Sequence, residues 1–179
     1  MQFVGIPVLF FALELPFIVP SKIPELGQVI SPGAGGGLGT LAYQYAKALG
    51  FRVLALLSGK EKRRHCEKLG VDFFVDYKTS KDLAGDINRL TDGGPHAVVV
   101  VSSAERPIYQ ALEYVRARGT IVLVGLPPGA RIQADLFSVI FRMITIKGSY
   151  VGTKEDTENA LEFFLRNKMV MQCQIMDLE

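Results

Sequence analysis

The plainest chemical promise in this sequence lies in its glycines. Gly33-Ala34-Gly35-Gly36-Gly37-Leu38-Gly39 follows the short apolar run Gln28-Val29-Ile30, which stops at Ser31-Pro32, and a helical pattern begins at once. Glycines let the backbone turn sharply and approach a pyrophosphate with no Cβ in the way. The helix that follows offers N–H groups and the positive end of its dipole to phosphate oxygens. A bare glycine run is no more than a flexible turn, but strand, glycines and helix in this order are what a dinucleotide site requires. The strict G-x-G-x-x-G spacing is not met, because Ala34 stands where the first glycine would be. The candidate phosphate loop is Gly33, Gly35, Gly36, Gly37, Leu38 and Gly39.

Other reactive residue types are scarce. His65, Cys66, His96 and Cys173 are the zinc-capable His and Cys side chains. His65 and Cys66 are adjacent, so on a helix they point apart, and a zinc site needs three or four convergent ligands. They read as surface histidines and ordinary thiols. Ser102-Ser103 has no histidine or acid placed by motif to activate it and reads as a loop. Tyr43 and Lys47 share a helical face at i, i+4, which ordinary packing explains. No catalytic residue is assigned.

The elements that must hold the glycine loop follow from periodicity. Residues 38–49 carry apolar side chains at helical spacing and stop at Gly50. Residues 51–57 form an apolar run interrupted only by Arg52, as in a strand buried on both faces. A charged helix over 60–69 closes at Gly70. A strand over 73–75, a helix over 81–90, a strand over 97–101, a helix over 107–115 and a strand over 120–124 come next. A last strand starts at 144–146 and a last helix spans 156–166. Strands and helices alternating in this way predict an α/β domain with a parallel sheet covered on both faces.

Composition agrees. A chain of 179 residues, 49% of them hydrophobic, can bury one domain core. Net charge +2 gives no nucleic-acid surface by itself. Two cysteines without a C-x-x-C pair exclude a disulfide framework and a zinc ribbon, and point to a reducing, cytoplasmic setting. No apolar run is long enough to span a membrane. Residues 3–19 are apolar, but Pro7, Glu14 and Pro16 interrupt them and no basic residue precedes them. They read as a strand or loop packed on the domain rather than a cleaved signal. The organisation is therefore an apolar segment over 1–26, a domain over 27–170 and a tail over 171–179.

Residues 33–49 resemble the phosphate loop and first helix of yeast-type, medium-chain, zinc-family alcohol dehydrogenases, where the same alanine is usual. Thr91-Asp92-Gly93-Gly94, residues 114–120, residues 124–130 and Ile146-Lys147-Gly148-Ser149-Tyr150-Val151-Gly152 with Asp156-Thr157 are similar to that family in order and spacing. The resemblance implies a Rossmann-type, doubly wound, six-stranded sheet in the order 3-2-1-4-5-6, binding NAD(P) at its switch point. It places Gly36, Gly37 and Leu38 under the pyrophosphate and Ser102 on the adenosine side. It has main-chain groups of Val124, Ser149 and Val151 hold the nicotinamide carboxamide, with Gly125 beside them. It also implies a homodimer through the edge of the sixth strand.

The sequence departs from the family in two places. NAD-dependent members carry an aspartate at the end of the second strand, where this chain has Leu57. The following Ser58-Gly59-Lys60-Glu61-Lys62 resembles NADPH-dependent quinone reductases of the same superfamily. There a small residue at the place of Ser58 makes room, and a lysine at the place of Lys62 meets the 2′-phosphate, with Arg63 and Arg64 adding charge nearby. That gives a slight lean to NADP(H). The family's Gly-His-Glu motif and its four-cysteine lobe are both missing, so no zinc is expected on this chain and the zinc-bearing half is expected to lie outside it. Three functions follow as expectations. The first is an NAD(P)-binding oxidoreductase domain. The second is a Rossmann scaffold repurposed as an isomerase, a cyclase or a small-molecule-binding pseudoenzyme. The third is a dimerisation module, in which a glycine loop would have no role.

Overall fold

The computed structural model describes residues 28–32 and 36–170. The segment over 1–26, Gly33, Gly35 and the tail over 171–179 lie outside the described residues. Six strands alternate with six helices. They are β1 (Gln28–Pro32), α1 (Gly37–Ala48), β2 (Arg52–Leu57), α2 (Lys60–Lys68), β3 (Phe73–Asp76) and α3 (Leu83–Leu90). After them come β4 (Ala97–Val100), α4 (Arg106–Tyr114), β5 (Thr120–Leu123), α5 (Leu136–Phe141), β6 (Thr145–Gly148) and α6 (Lys154–Arg166). All the strand pairings are parallel, and the sheet runs β3-β2-β1-β4-β5-β6.

Strand periodicity divides the core. Side chains alternate across a strand, so odd and even positions face opposite layers. Val53, Ala55, Leu57, Ala97, Val99, Val122 and Val124 pack with Leu41, Ala42 and Tyr45 of α1, Cys66 of α2 and Ala160 of α6. Leu54, Leu56, Val75, Val98, Val100 and Ile121 pack with Ile87 of α3 and with Ile108, Ala111 and Tyr114 of α4. Burial on both faces explains why β2 and β4 read as unbroken apolar runs. The Tyr45 hydroxyl donates to the Ala160 carbonyl at 2.8 Å, which ties α1 to α6 across their shared layer.

Helix ends differ from the periodic reading where caps decide them. Helix α6 begins at Lys154 rather than residue 156, because Thr153 and Asp156 form a capping box. The Asp156 N–H donates to Thr153 Oγ1, and the Asp156 carboxylate accepts from the Thr153 N–H at 2.6 Å. Helix α5 has no counterpart in the sequence reading. Its six residues are too few for a helical period to show, and Asp135 caps it by accepting from the Ser138 N–H.

At the N-terminal edge of the sheet Arg116 clamps the loop that enters β4. Its guanidinium donates to the carbonyls of Thr91, Asp92 and Gly94 and lies 2.7 Å from His96 Nε2. A guanidinium has no acceptor, so His96 meets it as a neutral imidazole. Burial, and then the Arg116 charge, hold the His96 pKa below its ordinary 6.5. The unfolded chain therefore takes up this proton at a higher pH than the folded one. Stability is expected to fall as pH drops from about 6.5 to that depressed value. Denaturant midpoints measured from pH 7.5 to pH 5 should show that slope, and His96→Gln should flatten it. Identical slopes in the two proteins would contradict the assignment.

Candidate cofactor site at the carboxyl edge of the sheet

Parallel pairing brings the C-terminal ends of all six strands to one edge. Strand β1 lies between β2 and β4, so the chain leaves β1 and β4 toward opposite layers and a crevice opens between them. Helix α1 points its N-terminus at this crevice. Its N-cap is Gly36, with no side-chain cap and no acidic residue in the first turn. Its first backbone bond from within the helix is Thr40 N–H to the Gly36 carbonyl at 3.1 Å. The first turn of α1 thus sets no acidic side chain of its own against the positive end of the helix dipole.

Gly36 and Gly37 are both exposed, and a Cβ built on either would meet nothing within 4 Å. Gly36 has φ −107 and ψ −174, an extended conformation open to any residue. Neither packing nor backbone strain therefore requires glycine here. Leu38 is half-buried against the α1 layer, and Gly39 is buried in the first turn of α1. Of the predicted phosphate loop, these two are packing positions and Gly36 and Gly37 are the open ones.

Strand β2 ends at Leu57, which is 3% exposed and pairs in register with Asp76 at the end of β3. The Asp76 carboxylate accepts from the Gly59 N–H at 3.1 Å and from the Lys78 N–H at 2.9 Å. These bonds, the one from Gly59 foremost, hold its pKa below the ordinary carboxylate value. Lys62 stands exposed in the first turn of α2. Arg63, expected beside it as extra positive charge, instead pairs with Glu67 at 3.2 Å. Its guanidinium lies 5.6 Å from the centre of the Phe74 ring, on the β3 side. Successive helical residues point about 100° apart, which separates Arg63 from Lys62. Asp76 is the residue that the sequence reading missed. The signal for it was an acid closing the apolar run 73–75 and leading into a turn.

On the other side of the crevice, Ser102 Oγ accepts from the Ala104 N–H at 3.1 Å and shapes the loop after β4. The Val124 and Gly125 N–H groups both donate to the Val100 carbonyl at 3.0 Å, and the Ser149 N–H donates to the Leu123 carbonyl at 2.9 Å. Among the described residues, the Val124 and Ser149 carbonyls and the Val151 N–H remain without a backbone partner. The buried Ser149 hydroxyl likewise has no partner. Gly125 is required by packing, since its Cβ would fall 1.9 Å from the Ser102 carbonyl oxygen.

Of the zinc-capable side chains, His65, Cys66 and His96 do not form one site, and Cys173 lies outside the described residues. His65 Nε2 lies 3.2 Å from Thr40 Oγ1, and His96 is held by Arg116 at the opposite edge of the sheet. Cys66 is buried beside Tyr43, and desolvation pushes its thiol up to about 11, whereas a zinc ligand must be a thiolate. Among the described residues, no three His, Cys, Asp or Glu side chains converge on a metal position. These residues do not fit a zinc ion. Also among the described residues, no helix is long and apolar enough to cross a membrane.

The fold and this edge define a doubly wound parallel α/β domain. The family model "Zinc-binding dehydrogenase" matches residues 37–166. The chain belongs to the zinc-binding dehydrogenase family. Alcohol dehydrogenase 1 of Neurospora crassa is 53% identical over 136 residues, covering 75% of this chain and 38% of that protein. D-arabinose dehydrogenase from Sulfolobus solfataricus superposes with TM-score 0.78 at 27% identity, covering 92% of this chain and 50% of that one. Quinone oxidoreductase from Escherichia coli, solved in complex with NADPH, has the same TM-score at 21% identity, covering 98% of this chain and 54% of that one, a likeness of fold. The chain spans less than half the length of the curated relatives it matches.

Proposed function

We propose that residues 27–170 are the nicotinamide-dinucleotide domain of an alcohol dehydrogenase-like oxidoreductase. The observation that carries this reading is the pair Gly36 and Gly37, glycines that no packing among the described residues demands, at a helix N-terminus with no side-chain cap among them. A pyrophosphate seated there would need that missing Cβ and would accept from the first-turn N–H groups. Gly33 and Gly35 belong to the same loop in this reading. The family match does not favour a repurposed scaffold.

Bound there, the cofactor would supply hydride exchange between nicotinamide C4 and an alcohol or carbonyl carbon. The chain's own groups bind and orient. The Val124 and Ser149 carbonyls accept from a carboxamide NH₂, the Val151 N–H donates to its oxygen, and together they fix which ring face meets the substrate. Ser102 borders the adenosine side, and Lys62 offers a cation to a 2′-phosphate, which leans the site slightly to NADP(H). The zinc chemistry of the family is assigned outside these residues. A second copy pairing along the open edge of β6 would form a homodimer. The neighbouring α5 exposes Leu136, Phe137, Ile140 and Phe141. We place the protein in the cytoplasm.

Calorimetric titration of the whole chain with NADPH and NADH tests this reading. Saturable one-site binding, somewhat tighter for NADPH, is the expected result. Binding of neither would overturn it.

A further inference from the structure

Loss of the acid at the end of β2 leaves open what sorts one dinucleotide from the other. At this corner the structure places an acid on the adjacent strand instead. Strand pairing sets Asp76 beside Leu57, and two backbone donors hold its carboxylate, the N–H of Gly59 in the β2–α2 turn and the N–H of Lys78. That turn opens α2, whose first turn carries Lys62. Arg63, which could have offset the negative charge, is taken up by Glu67 and the Phe74 ring. A carboxylate held by the Gly59 N–H thus stands at the turn that opens α2, whose first turns carry an exposed basic run with Lys62 in it.

We propose that Asp76 is the specificity-determining residue of the site: its fixed charge opposes a 2′-phosphate, and the balance between Asp76 and Lys62 sets the preference between NADPH and NADH. The inference rests on the dinucleotide reading above. A 2′-phosphate carries close to two negative charges and a ribose hydroxyl none, so a neighbouring carboxylate acts almost wholly on the phosphorylated cofactor. Asp76 also positions the turn, since an acceptor is needed for the Gly59 N–H. Charge and positioning separate in Asp76→Asn, whose amide oxygen still accepts that bond.

The test is the affinity ratio of NADPH to NADH, measured by calorimetry on the full chain at low salt. Asp76→Asn is expected to tighten NADPH by about three- to tenfold, the scale of one surface charge, and to leave NADH within about twofold. Asp76→Thr, whose hydroxyl can also accept from Gly59, serves as a second uncharged variant should the asparagine protein fail to fold. A structural role alone would weaken both cofactors together and leave the ratio unmoved. That result, or an unchanged ratio with both affinities intact, would overturn the proposal. If the unaltered chain binds both cofactors, only the role of Asp76 has failed; if it binds neither, the dinucleotide reading falls with it.

Discussion

Gly36→Val is expected to leave the fold intact and to weaken dinucleotide binding at least about 100-fold. The two halves of that expectation have separate causes. The backbone of Gly36 is extended, a conformation that β-branched residues prefer, and a Cβ placed there meets nothing within 4 Å among the described residues. Its melting temperature should therefore stay within about 2 °C of the parent, as for surface changes away from packed features. The valine side chain would stand in the space between the helix N-terminus and an incoming pyrophosphate, where close backbone approach is the point of the glycine. Calorimetry and thermal melts on the same preparation check both halves. Unimpaired binding would mean that the phosphates lie elsewhere.

Gly125→Ala should do the opposite and unfold what it touches. Its Cβ would lie 1.9 Å from the Ser102 carbonyl oxygen, 2.7 Å from the Ser102 carbonyl carbon and 3.3 Å from that of Val101. These are backbone atoms, so no rotamer can move them aside. The tips of β4 and β5 would have to separate, which strains the two bonds that the Val100 carbonyl accepts from Val124 and Gly125. A cost of about 3 kcal/mol follows from overpacking of this kind, or roughly 6–12 °C in melting temperature for a chain of this size. Gly36→Ala, the same chemical change across the crevice, should cost almost nothing. Equal stability of the two alanine variants would contradict the close approach of Gly125 to Ser102.

That contrast shows what sequence could and could not reveal. Both glycines were visible as motif residues, but only the three-dimensional structure separates one that faces open space from one that makes room for its own backbone. The alternation of elements was legible because buried parallel strands read as apolar runs and glycines close α1 and α2, with Gly50 and Gly70 at φ +86 and +74. Helix α5 was not legible, since six residues carry no period. The start of α6 was legible in principle, in the Thr153-x-x-Asp156 signature, but apolar spacing alone places it two residues late. The candidate site was legible where it rests on motif, in the glycine loop and around residues 124–125 and 149–151. It was hidden where it depends on register. Nothing in the sequence sets Asp76 beside Leu57, because that pairing is a property of two strands 19 residues apart in the chain. Nor could Arg63 be set apart from the basic run 62–64, on the β3 side, before its partners Glu67 and Phe74 were known.

In the proposed function one dinucleotide lies along the carboxyl edge of the sheet. Amide chemical-shift mapping of the isotopically labelled chain during titration with NADPH tests it most directly. Saturable shifts are expected to cluster at residues 36–40, 58–62, 102–104, 124–125 and 149–151, while the Arg116 clamp around residues 91–96 stays unmoved. Shifts confined to other surfaces, or none at millimolar NADPH, would contradict it.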